Sequence, residues 1–180
     1  LTALTTSLSI AKDLTVGVEN IEYYPLYDIQ NGKYTGAARE LLDTFAKKYS
    51  HSLTYKPLPV KRLTNDFVEG KLDLKFPDNA YWAQEMKKGK GVKYSTAAIE
   101  YIDGVMVLTA NKGKGGLKKL GTMRGFTPWE FLGDIKAGKI KTSDQIKLDS
   151  LMKLVSSGRI DGIYFNTKVS EYYLKHSDCD

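Results

Sequence analysis

Phe67-Val68-Glu69-Gly70-Lys71-Leu72-Asp73-Leu74 in the first half of the chain is echoed by Leu154-Val155-Ser156-Ser157-Gly158-Arg159-Ile160-Asp161-Gly162 in the second. In each stretch a helix runs out at a glycine able to take the left-handed conformation, and a basic residue, an apolar residue and an aspartate then lead into a strand. A match of this kind, once in each half, implies two similar lobes.

The elements on either side alternate between strand and helix, the pattern of βαβ units around a mostly parallel sheet. Leu14 to Val18 reads as a first strand. From Gly36 the apolar residues fall at Ala38, Leu41, Leu42, Phe45, Ala46 and Tyr49, the spacing of a helix with one buried stripe, and Thr35 is placed to cap it. Leu53 to Leu58 is expected as a strand, Lys61 to Glu69 as a short helix and Leu72 to Phe76 as a third strand. Ile102 to Ala110, the longest apolar run, reads as a buried strand. The Gly- and Lys-rich segment Asn111 to Gly116 is too polar for an element interior and marks a lobe boundary, giving a first lobe over 12–110 and a second over 111–180. The second half continues with a strand at Lys119 to Met123, a helix from Pro128 to about Lys136 with the proline in its first turn, and a strand around Ile140. A helix from Leu148 to Ser156, a strand at Gly162 to Phe165 and a helix from Thr167 to Lys175 complete it.

With 180 residues, 42% hydrophobic and 27% charged, the chain suits a globular α/β protein and neither disorder nor a coiled coil. No window reaches the roughly 18 to 20 apolar residues of a membrane-spanning helix. Residues 1–11 are uncharged and read as the tail of a secretory signal peptide, with Ser9 and Ala11 as the small residues before the cut and Lys12 as the mature start; an ordered N-terminal extension is the alternative. The single cysteine, Cys179, excludes an internal disulfide framework and a zinc ribbon. The net charge of +6 concentrates in Lys87, Lys88, Lys90 and Lys93 and again in Lys112, Lys114, Lys118 and Lys119. Both clusters lie in Gly-containing stretches without a recognition helix or an aromatic RNA-binding strand, so they read as solvated loops and no nucleic-acid partner is expected.

Together with the echo, several segments resemble family 3 of the extracellular solute-binding proteins of ABC importers, the amino-acid-type periplasmic binding proteins. They are Leu14-Thr15-Val16-Gly17-Val18, Tyr24-Pro25-Leu26-Tyr27, Gly32-Lys33-Tyr34-Thr35-Gly36, Pro59-Val60-Lys61-Arg62-Leu63, Lys93-Tyr94-Ser95 and Tyr172-Tyr173-Leu174. The resemblance covers about residues 13–176 and rests on the order and spacing of these segments, since no single one is specific. It implies a two-lobed α/β fold of the type II periplasmic binding class, with mostly parallel sheets flanked by helices. It also implies continuation beyond both ends of the given chain. Two departures bear on the ligand. Where the family has a Gly-Met-Thr stretch leading to a carboxylate-pairing arginine, this chain reads Phe76-Pro77-Asp78-Asn79-Ala80-Tyr81-Trp82, with no arginine before Arg124; and the aspartate that pairs the ligand's ammonium aligns with Asn166.

Candidate ligand-binding residues follow from position. Tyr23, Tyr24 and Tyr27 surround Pro25 just after the first strand, where one or two of them would wall a cleft and the others pack in the core. Asp78, Asn79 and Trp82 follow the third strand, at the carboxyl end of a sheet, with a capped turn over a packed Trp82 as the plain alternative. Arg124, Thr127 and Trp129 sit at a strand-to-helix turn suited to an anionic or strongly polar group, or else form an ordinary surface turn. Asn166 would hydrogen-bond the ligand without supplying charge. These residues lead to an expected ligand other than a standard free α-amino acid, or one whose ammonium is held by an acid such as Asp78.

No catalytic constellation, phosphate loop or metal-spaced cluster is present in the sequence, so no enzyme activity, cofactor or metal is expected. The expected function is capture of a small polar or anionic solute outside the cytoplasm, in the periplasm, by a monomer that delivers it to an ABC permease and meets the membrane only through that partner. A sensor domain, an accessory domain of a lytic enzyme, or an enzyme on the same fold is the alternative.

Overall fold

Each half of the chain builds a three-stranded parallel sheet around one glycine-centred strand. The computed structural model describes residues 11–177. The expected signal-peptide remnant falls outside that range except for Ala11, as does Cys179.

The first half runs β1 (Asp13–Glu19), a β2–β3 hairpin (Asp28–Gln30 and Lys33–Thr35), α1 (Ala37–Tyr49), β4 (Ser52–Leu58), α2 (Val60–Val68), β5 (Leu74–Phe76) and a short α3 (Gln84–Lys87). Its sheet has the order β4-β1-β5, all parallel. The second half runs β6 (Asp103–Met106), β7 (Lys119–Met123), α4 (Leu132–Lys136), β8 (Lys141–Gln145), α5 (Leu148–Ser156), β9 (Gly162–Asn166) and α6 (Thr167–His176). There β8, β7 and β9 are parallel in the order β8-β7-β9, and β6 adds to β9 antiparallel. Apart from β6, the two sheets have the same topology, with the first strand in the middle, the second on one side and the third on the other.

The echo seen in the sequence is this repeat. Gly70 and Gly158 end α2 and α5 with φ of 75° and 67°, the left-handed geometry an L-residue with a side chain resists. Asp73 then donates its N–H to the Thr15 carbonyl in β1 and accepts the Thr15 N–H at 2.8 Å through its carboxylate. In the second half the Asp161 N–H goes to the Lys119 carbonyl, and its carboxylate accepts the N–H groups of Lys118 and Lys119. The core repeats as well. A Cβ on Gly17 of β1 would meet Leu63 and Leu72 at 2.5 Å, and one on Gly121 of β7 would meet Ile160 at 2.6 Å and Leu151 at 2.8 Å. A bare central strand thus lets a helix and its exit loop lie directly on the sheet in both halves.

Three expectations need correction. The run Ile102–Ala110 is not one buried strand, because only Asp103–Met106 joins a ladder, at the sheet edge, and Ile102 and Leu108 are 51% and 39% exposed. That strand pairs with β9, so the chain enters the second sheet before residue 111, and the Gly- and Lys-rich segment 111–116 is a connection within the second unit. Thr35 does not cap α1: Gly36 occupies the cap, with φ 98° in a site where a Cβ would strike the Leu26 carbonyl at 2.8 Å, and the Thr35 hydroxyl instead donates to Asp28 O across the hairpin.

Burial is continuous between the halves. One apolar cluster joins Val16, Val18, Tyr23, Tyr27, Ala38 and Leu42 of the first to Met123, Leu151, Val155, Ile163 and Phe165 of the second. Tyr23 makes the junction, with ring centroids 4.9 Å from Tyr27, 5.9 Å from Phe126 and 5.0 Å from Phe165.

Candidate functional site

The carboxyl ends of both parallel sheets converge on a narrow, nearly closed cleft with a cavity volume of about 30 Å³, lined from the first half by Glu19, Tyr23, Tyr27, Thr64, Lys75 and Asp78 and from the second by Asp103, Phe126, Thr127 and Tyr164, with Trp82 and Tyr101 between. Such a crevice is where open α/β sheets place ligands. Glu19 is the last residue of β1, Lys75 lies within β5, and Asp103 opens β6, which runs antiparallel and therefore starts where β9 ends.

The wall from the first half is internally paired. Asp78 accepts from Lys75 Nζ at 3.0 Å and Lys87 Nζ at 3.1 Å, all three side chains being at most 9% exposed. Lys75 also donates to Pro77 O, and Lys87 to Asn79 O and to the Tyr94 hydroxyl. Glu19, 3% exposed, accepts the Tyr27 hydroxyl at 2.5 Å. Burial raises the Glu19 pKa above the ordinary carboxylate value, against the opposing pull of Lys75 and the Tyr27 bond. Burial also pushes the phenols of Tyr23 and Tyr27 well up, so both stay protonated donors.

The wall from the second half carries acid without a base. The Tyr164 hydroxyl lies 3.1 Å from Asp103 Oδ2 and 2.9 Å from Glu130 Oε2. A phenol has one hydrogen to give, so making both bonds requires a proton on one of the two carboxyls. Burial, and then the Glu130 charge, raise the Asp103 pKa, while bonds from Tyr164 and Asn166 pull it down. The buried Tyr101 hydroxyl on the cleft wall lies beside the Tyr27 phenol and the charges of Glu19 and Asp103.

A rim closes one side. Ala83 N–H donates to Thr127 Oγ1 at 3.2 Å, and Tyr81 packs on Trp129 at 4.9 Å between centroids, so the segment after β5 touches the turn after β7.

Of the residues singled out from sequence, Tyr23, Tyr27, Asp78, Trp82 and Thr127 line the cleft. The others do not. Tyr24 is 39% exposed and packs on Tyr172 at 4.8 Å on another surface. Asn79 uses its carbonyl on Lys87 and lines a neighbouring groove, and Trp129 is an exposed rim residue. Arg124 is exposed and is not among the residues that line the cleft; its backbone N–H bonds Gln145 O. The turn behind it opens a 3-10 turn at Trp129–Phe131 and a five-residue α4 in place of the expected longer helix. Asn166 is 1% exposed; its side-chain oxygen caps α6 by accepting from Lys168 and Val169 N–H, and it stands opposite Asp103 in the β6–β9 register. Asp78 is saturated by two lysines and has no charge to spare for a ligand's ammonium.

Sequence reasoning missed Glu19, Lys75, Asp103 and Tyr164. Their common signal is a charged or hydroxylated residue inside or at the end of an apolar strand, where burial is costly unless the group is paired. Among the described residues no group of acids or histidines converges to hold a metal ion, and no helix is long and apolar enough to cross a membrane.

No family model matches the chain, and no curated protein matches it by sequence. Its structure is similar to that of an ancestral arginine-binding protein bound to glutamine, at TM-score 0.68 and 24% identity over 92% of this chain and 74% of that one. An amino acid ABC transporter substrate-binding protein from Streptococcus pneumoniae bound to L-arginine superposes at TM-score 0.70 and 18% identity, over 93% and 73% of the two chains. A glutamate-bound receptor ligand-binding domain, that of AvGluR1, gives TM-score 0.72 and 16% identity over 93% and 74%. The chain has the type II periplasmic binding fold. Within that fold the cleft just described lies between the two sheets.

Proposed function

We propose that this chain is a solute-binding protein that captures a small polar molecule in the cleft between its sheets and delivers it to an ABC permease from outside the cytoplasm, acting as a monomer. The observation that carries this reading is the origin of the lining: each half contributes buried polar side chains to one small space, so a ligand there contacts both lobes at once. A ligand whose contacts exist only when both walls face it stabilises the closed arrangement by that difference. Tyr23, Tyr27, Trp82 and Thr127 are the residues foreseen from sequence that we retain as ligand contacts, and the lobes divide before β6.

The solved structures of this fold with bound glutamine, arginine and glutamate support a binding role. The test is thermal unfolding of the purified chain against a panel of amino acids, amines, organic acids and sugars. A true ligand raises Tm by mass action, by about 2.7 kcal/mol of added stability at a hundredfold excess over Kd. If no member of the panel shifts Tm or quenches the Trp82 fluorescence, the solute-binding reading fails. A compound consumed rather than merely bound would move the reading to an enzyme.

A further inference from the structure

The two walls of the cleft differ in charge, and the difference specifies a ligand. On the first-half wall the ammonium groups of Lys75 and Lys87 stand against the carboxyls of Asp78 and Glu19, a balanced set. On the second-half wall Asp103 shares the Tyr164 hydroxyl with Glu130 behind it, and among the described residues neither acid forms an ion pair with a lysine or arginine. With Lys75 and Lys87 set against Asp78 and Glu19, the carboxyl group of the cleft lining left without an ammonium partner is that of Asp103. Aromatic rings fill much of the remaining surface, from Tyr23, Tyr27, Trp82, Tyr101 and Phe126. A carboxylate set among aromatic faces is the chemistry that holds an organic cation, by charge pairing on one side and ring quadrupoles on the others. The buried Tyr101 hydroxyl, beside the Tyr27 phenol, adds a polar group to the same lining.

A carboxylate on the ligand has no place here. The only lining cation, Lys75, is bound to Asp78 and to the Pro77 carbonyl, and a second anion beside it would face Asp78 and Glu19. Asn166 supplies no charge, but its amide bonds Asp103 across the β6–β9 ladder, so the acid absent at position 166 is provided by its register partner. We infer that the cleft takes a compact organic amine or guanidine that lacks a carboxylate, with its cationic group against Asp103 and its carbon skeleton between the rings of Tyr23, Trp82 and Phe126. This rests on the cleft being the ligand site. In that arrangement Asn166 is a positioning residue for Asp103.

The decisive comparison uses agmatine and arginine, which differ only by the carboxylate, in calorimetric titrations of the unmodified chain, with putrescine as a second amine and glutamine and glutamate as carboxylate-bearing controls. Agmatine or putrescine is expected to bind at least about tenfold more tightly than arginine, a margin of about 1.4 kcal/mol. Asp103→Asn is expected to weaken amine binding by roughly 30-fold or more, the loss that follows removal of a desolvated charge partner. Arginine binding as tightly as agmatine, or Asp103→Asn leaving amine affinity within twofold, overturns the inference. Glutamine or glutamate binding in preference to both amines also overturns it but leaves the solute-binding function standing. Silence from all five compounds overturns the inference and leaves the solute-binding reading to the wider panel.

Discussion

The two halves of this protein share a scaffold and use it oppositely. Both thread a central strand with a bare glycine, Gly17 or Gly121, beneath a helix and end that helix at a left-handed glycine before an aspartate that clips the loop to the central strand. Yet the first half satisfies its own buried charges, binding Asp78 to two lysines, whereas in the second, among the described residues, Asp103 and Glu130 meet the Tyr164 hydroxyl and no ammonium or guanidinium. One wall is thus finished by folding, and the other is finished only when something positive arrives. In a repeat of this kind the backbone fixes where polar side chains converge, and a few strand-end residues decide whether the convergence is a structural tie or a binding site.

The contrast breaks most directly at Asp78. Asp78→Ala strands two buried ammonium groups and should cost about 3–5 kcal/mol in urea unfolding, whereas Asp103→Asn, which removes an uncompensated charge, should leave the unliganded chain within about 1 kcal/mol of the parent. A loss under 1 kcal/mol for Asp78→Ala would mean that the first wall is not self-satisfied. The shared scaffold is tested next by Gly17→Val and Gly121→Val, each expected to cost about 1–3 kcal/mol by overpacking. Nearly equal losses confirm equivalence of the halves, and a loss confined to one shows that only that helix sits hard on its sheet.

Smaller effects sharpen the comparison. Asp161 accepts two backbone N–H groups and Asp73 one, so Asp161→Ala should destabilise more than Asp73→Ala, each by about 1 kcal/mol or less because both sites are open to water. The smallest effect is in pH. Glu19 and Asp103 have raised pKa values, so the folded chain binds protons more readily than the unfolded one, and the unliganded protein should gain stability as pH falls through their folded values toward 4.5 and 3.8. Asp161 has the opposite shift, from its backbone bonds to Lys118 and Lys119; the stability it adds is present above 3.8 and is lost as pH falls through its lowered value. Stability measured against pH should therefore pass through a maximum, and Asp103→Asn should flatten its upper side. A curve that rises steadily with pH in Asp103→Asn and parent alike would contradict this.

The repeat was legible because it is written in local signals. A helix end, a left-handed glycine and a strand-leading aspartate sit within eight residues, and α5 spans Leu148–Ser156 as its periodicity indicates. The lobe boundary was not legible: the composition changes at 111–116, but the strand at 103–106 chooses its sheet by a ladder with residues 163–166, sixty residues away. The site was half legible for the same reason. Tyr23, Tyr27, Asp78, Trp82 and Thr127 lie in loops after strands, where ligand groups are looked for, but Glu19, Lys75, Asp103 and Tyr164 belong to the strands themselves. Which face of a strand meets the opposite lobe depends on how two sheets pack. Arg124 was singled out because its charge and its place in a turn are local signals, whereas its exposure, away from the cleft lining, depends on how the turn packs.

The apolar cluster runs from Val16 and Ala38 through Tyr23 to Phe165 and Leu151, beside the polar cleft, and so spans both halves. Two topological units are therefore one calorimetric unit. Heat should melt them in a single peak whose van't Hoff and calorimetric enthalpies agree, and neither half should persist as a folded remnant once the other has opened. Under the proposed closure on a ligand, the rings stacked around Tyr23 are the contacts that would have to slide, so a smaller side chain in place of Tyr23 should loosen both halves together.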